Sequence, residues 1–470
     1  MKNLRNLFHP SALAPAGKRE AYKLLMALVI PWLFACPVAS GQTPITVVTF
    51  DVTNGLLPYF GSLVQGANGD LYGTTYEGGA NNKGTIFKLT PAGALTTLYS
   101  FDTTDGSFPA GSLVLAANGY LYGTTWEGGT GTVGTVFRIT PAGALTSLHS
   151  FDSTDGALCA SGLIQATNGD LYGTTYQGGA NNLGTIFKIT PAGVFTSLHS
   201  FEAAEGATPY AGLIQATDGY LYGTTYQGGA NNVGTIFKIT PAGVLTTLYS
   251  FSGTDGAHPY AALVQADNGL LYGSTSAGGI GYGNIFSMTP EGALTNIHTF
   301  VVLDGDNPQS KLVEANDGNL YGTTSGGGTT GDGTIFKMTL AGSLTSLFSF
   351  NGTDGAFPIG GLAQYTNGTF YGTTYQGGAD NDGTVFTLSE GLGPFVQTVP
   401  TSGRVGAAVK ILGTHLSAAS SVTFNGTAAA FQVVGPSEIT TTVPSGATTG
   451  NVEVTTPAGL LVSNVAFQVP

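Results

Sequence analysis

Residues 171–201 read LYGTTYQGGANNLGTIFKITPAGVFTSLHSF, and the same text returns with small changes along most of the chain. Its tyrosine marks the period, recurring at Tyr72, Tyr122, Tyr172, Tyr222, Tyr272, Tyr321 and Tyr371, a spacing of fifty that slips once to forty-nine. A period of this length belongs to propellers and solenoids. Each repeat holds four short runs with strand character, such as GLIQAT, LYGTTY, GTIFKIT and VFTSLHSF. Asn168-Gly169 separates the first two and tolerates the positive φ angles of a two-residue hairpin. Pro191-Ala192-Gly193 separates the last two, with proline presetting the first turn residue and glycine closing the turn. Tight hairpins at both corners make four antiparallel strands per repeat, which is a propeller blade; stacked parallel coils would not need them. The reading is therefore all-β, a seven-bladed β-propeller.

The phase of the repeat offers a check, because a propeller must close its ring. The chain enters the array on an outermost-type strand, residues 45–50 (ITVVTF), and leaves it on a third-type strand, residues 383–388 (GTVFTL). The entering strand is expected to complete the last blade, joining it to the first and removing an open edge.

Composition agrees with turn-rich β-structure. Of 470 residues 42% are hydrophobic, only 9% are charged and 73 are glycine, which leaves little material for helices laced with ion pairs. Residues 1–41 differ in kind: five bases against one acid, then the apolar run LLMALVIPWLFACPVA, the pattern of a signal peptide. A rival reading takes Leu33-Phe34-Ala35-Cys36 as a lipoprotein box with Cys36 lipidated. Removal of residues 1–41 leaves nine bases and twenty-six acids, a net charge of −17, which argues against nucleic acid as a partner. It also leaves Cys159 alone, so no intramolecular disulfide can form. Cys159 stands where later repeats carry Pro209 and Pro259, a loop substitution rather than a nucleophile. The mature chain is expected to be monomeric, without a transmembrane span, and extracellular, periplasmic or on the outer cell surface.

The repeat text YQGGANN, GTIFKITPAG and LTSLHSF resembles the GloVer-type tandem repeat of bacterial exported proteins. The resemblance implies surface or extracellular placement and assigns no biochemical activity. The last stretch alternates apolar and polar residues between Gly, Pro, Ser and Asn turns, as an immunoglobulin-like β-sandwich does. Pro400-Thr401-Ser402-Gly403, Gly413-Thr414-His415-Leu416, Val422-Thr423-Phe424-Asn425-Gly426 and Val443-Pro444 are similar to the IPT/TIG family pattern, which carries no catalytic residues. The expected plan is a signal peptide (1–41), a propeller (42–390), a hinge (391–393) and an IPT/TIG domain (394–470). The resemblance implies a spacer or a carbohydrate-associated accessory, and deletion of residues 394–470 is expected to leave the propeller's melting nearly unchanged.

Tight turns occupy one face of the disc, and the long connections occupy the other, so a ligand site is expected on the long-loop face. Three rings of residues recur there or nearby. The first is aromatic, Tyr76, Trp126, Tyr176, Tyr226 and Tyr375, with Glu77, Glu127, Gln177, Gln227 and Gln376 beside it. Flat apolar rings flanked by amides and carboxylates suit stacking on sugar rings, and the same residues could equally pack between blades. The second ring is Asn54, Asp105, Asp155, Glu205, Asp255, Asp304 and Asp354, each followed by glycine: either a cation collector or a turn that satisfies its own backbone. The third, Gln65, Leu115, Gln165, Gln215, Gln265, Glu314 and Gln364, either lines the central channel or bonds across blades.

No catalytic, metal or cofactor site is read in this sequence. Its histidines do not converge, and no HExxH, phosphate loop or nucleophile elbow is present. A glycosidase needs two carboxylates in unlike environments, whereas most carboxylates here recur in equivalent places. The expected function is non-catalytic binding of a glycan or cell-surface protein, or a surface scaffold; the alternative is a propeller-type polysaccharide hydrolase or lyase.

Overall fold

The computed structural model describes residues 43–470. Both leader readings, signal peptide and lipidated Cys36, therefore lie outside the described residues. Among the described residues are seven four-stranded antiparallel sheets built from the repeats, then two more from the C-terminal stretch. The third blade is representative, with strands Ile164–Gln165, Leu171–Thr175, Thr185–Ile189 and Phe195–Ser200 paired in sequence order. In the last blade the outermost place is taken by Ile45–Thr49, which pairs antiparallel with Thr384–Leu388. Phe50 N–H then donates to Gly383 O at 3.0 Å, just as Phe201 N–H donates to Gly184 O within the third blade. The ring is closed by the chain's own N-terminal strand.

Both faces of each blade are buried, so side chains on alternate positions are apolar on both sides. On one face Tyr172, Ile186 and Phe201 meet Leu213, Leu221, Phe237 and Ile239 of the next blade. Phe201 and Phe237 pack edge to face at 5.3 Å. On the other face Phe187 lies over Gly173, where an added Cβ would come within 2.6 Å of the Phe187 Cζ. The glycine of LYGTT is there to admit a phenylalanine ring. The threonines after it are buried but satisfied: Thr175 and Thr185 share a 2.8 Å hydroxyl contact, and Thr174 Oγ1 donates to Ala211 O of the next blade at 3.0 Å.

The first hairpin differs from the two-residue turn expected. Ala166 N–H donates to Asp170 O and Gly169 N–H to Ala166 O, making a three-residue loop in which glycine alone of the pair has positive φ (+86°). Asn168 keeps negative φ because its side chain works instead. Its Oδ1 accepts from Asp170 N–H at 3.1 Å, and its Nδ2 donates to Tyr172 Oη at 2.8 Å, satisfying the buried tyrosine's hydroxyl.

Of the two readings of the glutamine ring, bonding across blades is what occurs. Gln165 Oε1 accepts from Ala117 N–H at 2.9 Å, Gln215 from Thr167 at 2.8 Å and Gln265 from Thr217 at 2.8 Å, each across one blade boundary. Gln65 accepts from Thr366 N–H at 3.1 Å and joins the last blade to the first. The amide's other end donates to the blade's own turn, Gln165 Nε2 to Gly169 O at 3.0 Å. Two members depart from glutamine. Glu314 accepts from Asp267 N–H at 3.1 Å but, when ionised, has no donor to offer its own turn. Burial and the nearby Asp267 carboxylate push it up to about 7.

Leu115 breaks the ring outright, and the C-terminal domain sits there. That domain is a sandwich of two four-stranded sheets around Val409, Ile411, Phe424, Ile439, Val454 and Phe467. Leu412, next to this core, points the other way and packs with Leu115, Leu121 and Tyr72 of the propeller. Ser437 Oγ donates to Ala67 O at 2.8 Å, Phe395 N–H to Thr366 O at 3.0 Å, and Gln397 Nε2 to Gln364 O at 3.3 Å. The expected free hinge is not what the contacts describe, since Asn316 Nδ2 also ties down Gly393 O at 2.9 Å. The domain spans the last, first and second blades, across the seam where the ring closes.

Two outcomes follow. In the native state Glu314 stays protonated where the unfolded chain has already lost the proton, so stability falls as pH rises from about 4.5 through 7. Glu314→Gln is expected to remove that fall, adding about 1–3 kcal/mol at pH 8 and little at pH 4.5 in urea unfolding; equal gains at both pH values would contradict it. Leu412→Ala should cost about 2–4 kcal/mol and lower the propeller's melting as well as the sandwich's. A change confined to the sandwich would mean that the two units do not support each other.

Candidate functional site

The aromatic residues of the long-loop face do not stand as separate platforms. They converge on side chains in the segments leading into the innermost strands that the sequence reading did not single out: Tyr59, Phe60, Tyr210 and Tyr260. Tyr210 and Tyr260 stack at 4.4 Å with 19° between their planes, and Phe60 reaches Tyr260 at 4.8 Å although they lie four blades apart in sequence. Tyr59 contacts Tyr76 and Tyr375, each at 5.3 Å. Tyr176 meets Tyr210 at 4.6 Å, Tyr226 meets it at 5.3 Å, and Trp126 meets Tyr176 at 5.5 Å. The result is one aromatic cluster on the axis of the disc.

Phe60 is there because the first blade has an extra residue. Leu57-Pro58-Tyr59-Phe60-Gly61 spans what Phe108-Pro109-Ala110-Gly111 spans in the second. Leu57 and Phe108 share a left-handed φ (54° and 59°), and Pro58 and Pro109 cover Gly383 and Gly84 in the same way. The insertion pushes a ring into the axial space. Its sequence signal was the one-residue excess before Gly61, together with Pro-Tyr in the fourth and fifth blades.

Within this cluster the five aromatic candidates divide. Trp126 and Tyr375 are only 4% exposed, so their faces are taken up by neighbours, and burial pushes the Tyr375 phenol up to about 12. Tyr76, Tyr176 and Tyr226 are half-buried, Tyr76 stacked with Phe108 at 5.1 Å. Beside them Glu77, Glu127, Gln177 and Gln376 are half-buried and Gln227 is exposed. Their backbones pair with the incoming loops, Glu77 with Leu56, Glu127 with Ser107, Gln177 with Ala157, Gln227 with Ala207 and Gln376 with Ala356, which fixes the side chains around the cluster. His258 lies on Tyr226 at 4.5 Å, and its Nδ1 approaches Tyr226 O at 2.9 Å. The arrangement is an apolar axial floor with phenol edges, ringed by amides and two carboxylates.

The acidic ring is a set of closed turns. Asp155 Oδ1 accepts from Asp152 N–H at 3.1 Å, and Asp354 Oδ1 from Asn351 N–H at 3.0 Å. The second oxygen meets the outermost strand: His149 contacts Asp155, His199 contacts Glu205 (each 2.8 Å), and Tyr249 Oη donates to Asp255 at 2.6 Å. The histidines of that strand are therefore partners of the turns. Cys159 is fully buried, and burial pushes its thiol well up, away from thiolate chemistry. Among the described residues no three His, Cys, Asp or Glu side chains group to hold a metal ion.

Comparison with known proteins places the chain by family. Residues 394–469 match the IPT/TIG domain. No curated protein matches the chain in sequence. Among solved structures, the extracellular domain of a provisionally assigned hybrid two-component system from B. thetaiotaomicron is 13% identical with a TM-score of 0.49. The alignment covers 89% of this chain and 53% of that one, so this chain spans about half its length. A provisionally assigned 6-phosphogluconolactonase from Bacteroides fragilis is 18% identical with a TM-score of 0.46, covering 71% of this chain and 88% of that one. Four overlapping matches to the Gloeobacter/Verrucomicrobia repeat, over residues 32–217, 111–282, 204–386 and 280–414, take in most of the sequence, and the chain belongs to that repeat family.

Proposed function

We propose that this chain is an exported, non-catalytic binding protein whose long-loop face takes a neutral or weakly cationic glycan, presented on a cell surface or in its surroundings. The observation that carries the reading is the triplet Tyr76, Tyr176 and Tyr226, half-buried rings packed around an axial cluster. The C–H face of a sugar stacks on the uncovered part of such a ring while Glu77, Gln177 and Gln227 take its hydroxyls. Export is supported by the leader composition of residues 1–41. Among the described residues no helix is long and apolar enough to cross a membrane. The other disc face is partly occupied by the C-terminal domain, which leaves the long-loop face for a partner.

Binding is favoured over polysaccharide cleavage because most carboxylates are engaged in their own turns. Charge narrows the ligand. The propeller and hinge hold seven bases and twenty-four acids, so polyanionic glycans are repelled.

Stacking on one aromatic contributes roughly 0.5–1.5 kcal/mol beyond its buried area. Tyr176→Ala is expected to weaken glycan-array binding several-fold with melting nearly unchanged, while Trp126→Ala, at a buried position, lowers the melting temperature. Binding that survives Tyr76, Tyr176 and Tyr226 substitution together would place the ligand elsewhere. Turnover in a polysaccharide activity screen would favour the hydrolase or lyase reading.

A further inference from the structure

Behind the aromatic cluster the axis of the disc holds a cavity of about 130 Å³. One level of it is built from equivalent residues of successive blades: Ser62, Ser112, Gly162, Gly212, Ala262 and Lys311. Five of these are serine or smaller. Lys311 therefore has a long cationic chain where the other blades leave space. Its side chain is exposed to solvent in the channel, with the blades packed closely around it. It has no ion-pair partner among the described residues, and burial alone, with no carboxylate acting on it, lowers its pKa.

The backbone adds donors at the same level. In the second to fifth blades the carbonyl just before this position is tied back by the preceding blade, as when Thr124 Oγ1 donates to Ser161 O at 2.8 Å and Thr174 Oγ1 to Ala211 O at 3.0 Å. A trans peptide holds its N–H opposite its C=O. Ser62 N–H finds an acceptor in the next blade, Ser112 Oγ at 2.8 Å. At the corresponding next positions Ser112, Gly162, Gly212 and Ala262 meet glycine, glycine, alanine and lysine, none of which offers a side-chain acceptor. Their N–H groups have no protein acceptor among the described residues. A cation and a ring of unclaimed donors share one small cavity.

We propose that this axial cavity binds a small monocarboxylate, held by the Lys311 ammonium and the free N–H groups beside it. Charge selects the class. The cavity has room for an anion of acetate size and opens to the channel, so volume alone sets no upper limit. One lysine neutralises one charge; a dianion such as sulfate would keep an uncompensated charge inside a strongly acidic protein. The site is separate from the glycan reading and does not depend on it.

The test is titration of the full chain with sodium acetate at constant ionic strength, followed by calorimetry and by the linewidth of carboxyl-13C acetate. Saturable binding is expected, with sodium sulfate a poor competitor. Lys311→Ser copies the first two blades, and Lys311→Met keeps the chain length without the charge; each should weaken acetate at least about tenfold. Lys238→Met, on the third strand of its blade, should change nothing. Three results would overturn the proposal: no saturable acetate binding by the unaltered protein, equal affinity in either Lys311 variant, or sulfate binding in preference to acetate.

Discussion

The fit of Phe187 over Gly173, repeated from blade to blade, is the constraint on which the rest of the structure depends. It lets each sheet bury both faces, one against the preceding blade and one against the following blade. A fully buried Phe or Leu contributes about 1.5–3 kcal/mol relative to its exposed state, and the boundary between the third and fourth blades gathers seven large apolar side chains. No blade can hold that burial alone, because a single sheet would present apolar side chains to water on both sides. The array therefore needs its neighbours all the way round, and the N-terminal strand that completes the last blade is a consequence of that need.

Chemistry concentrates where the repetition fails. The extra residue that brings in Phe60, the tyrosines at 210 and 260 and the lysine at 311 lie in the segments leading into innermost strands, and the glutamate at 314 ends one. Leu115 is the break that receives Leu412, so one substitution both interrupts the glutamine ring and creates the seat of the C-terminal domain. That domain touches the last, first and second blades and lies over the seam where the ring is joined. The two disc faces thereby acquire different roles, one occupied by the chain itself and one left open.

Most of the architecture was legible because repetition amplifies weak local signals. A single LYGTT says little, whereas seven copies with paired turn signals fix strand number, order and phase. The conformation of the first hairpin was not legible: Asn168-Gly169 suits a two-residue turn, but the asparagine side chain is recruited to the Tyr172 hydroxyl and the loop takes three residues. The site was half legible. Tyr76, Tyr176 and Tyr226 were visible as a period, but their exposure, and the burial of Trp126 and Tyr375, depend on what the innermost strands carry across the axis. Contacts between blades far apart in sequence, such as Phe60 with Tyr260, leave no mark in a repeat pattern. The docking of the C-terminal domain was hidden for the same reason, since Leu412 reads as one more strand residue of the sandwich.

If the ring over the glycine is what couples the blades, a single methyl group at that place should be felt. Urea unfolding of Gly173→Ala measures this most directly, because the added Cβ would lie 2.6 Å from Phe187 Cζ and 2.7 Å from Leu163 Cδ2. The expected result is a loss of about 1–3 kcal/mol in one cooperative transition. An unchanged midpoint, or unfolding of the third blade apart from its neighbours, would contradict the coupling.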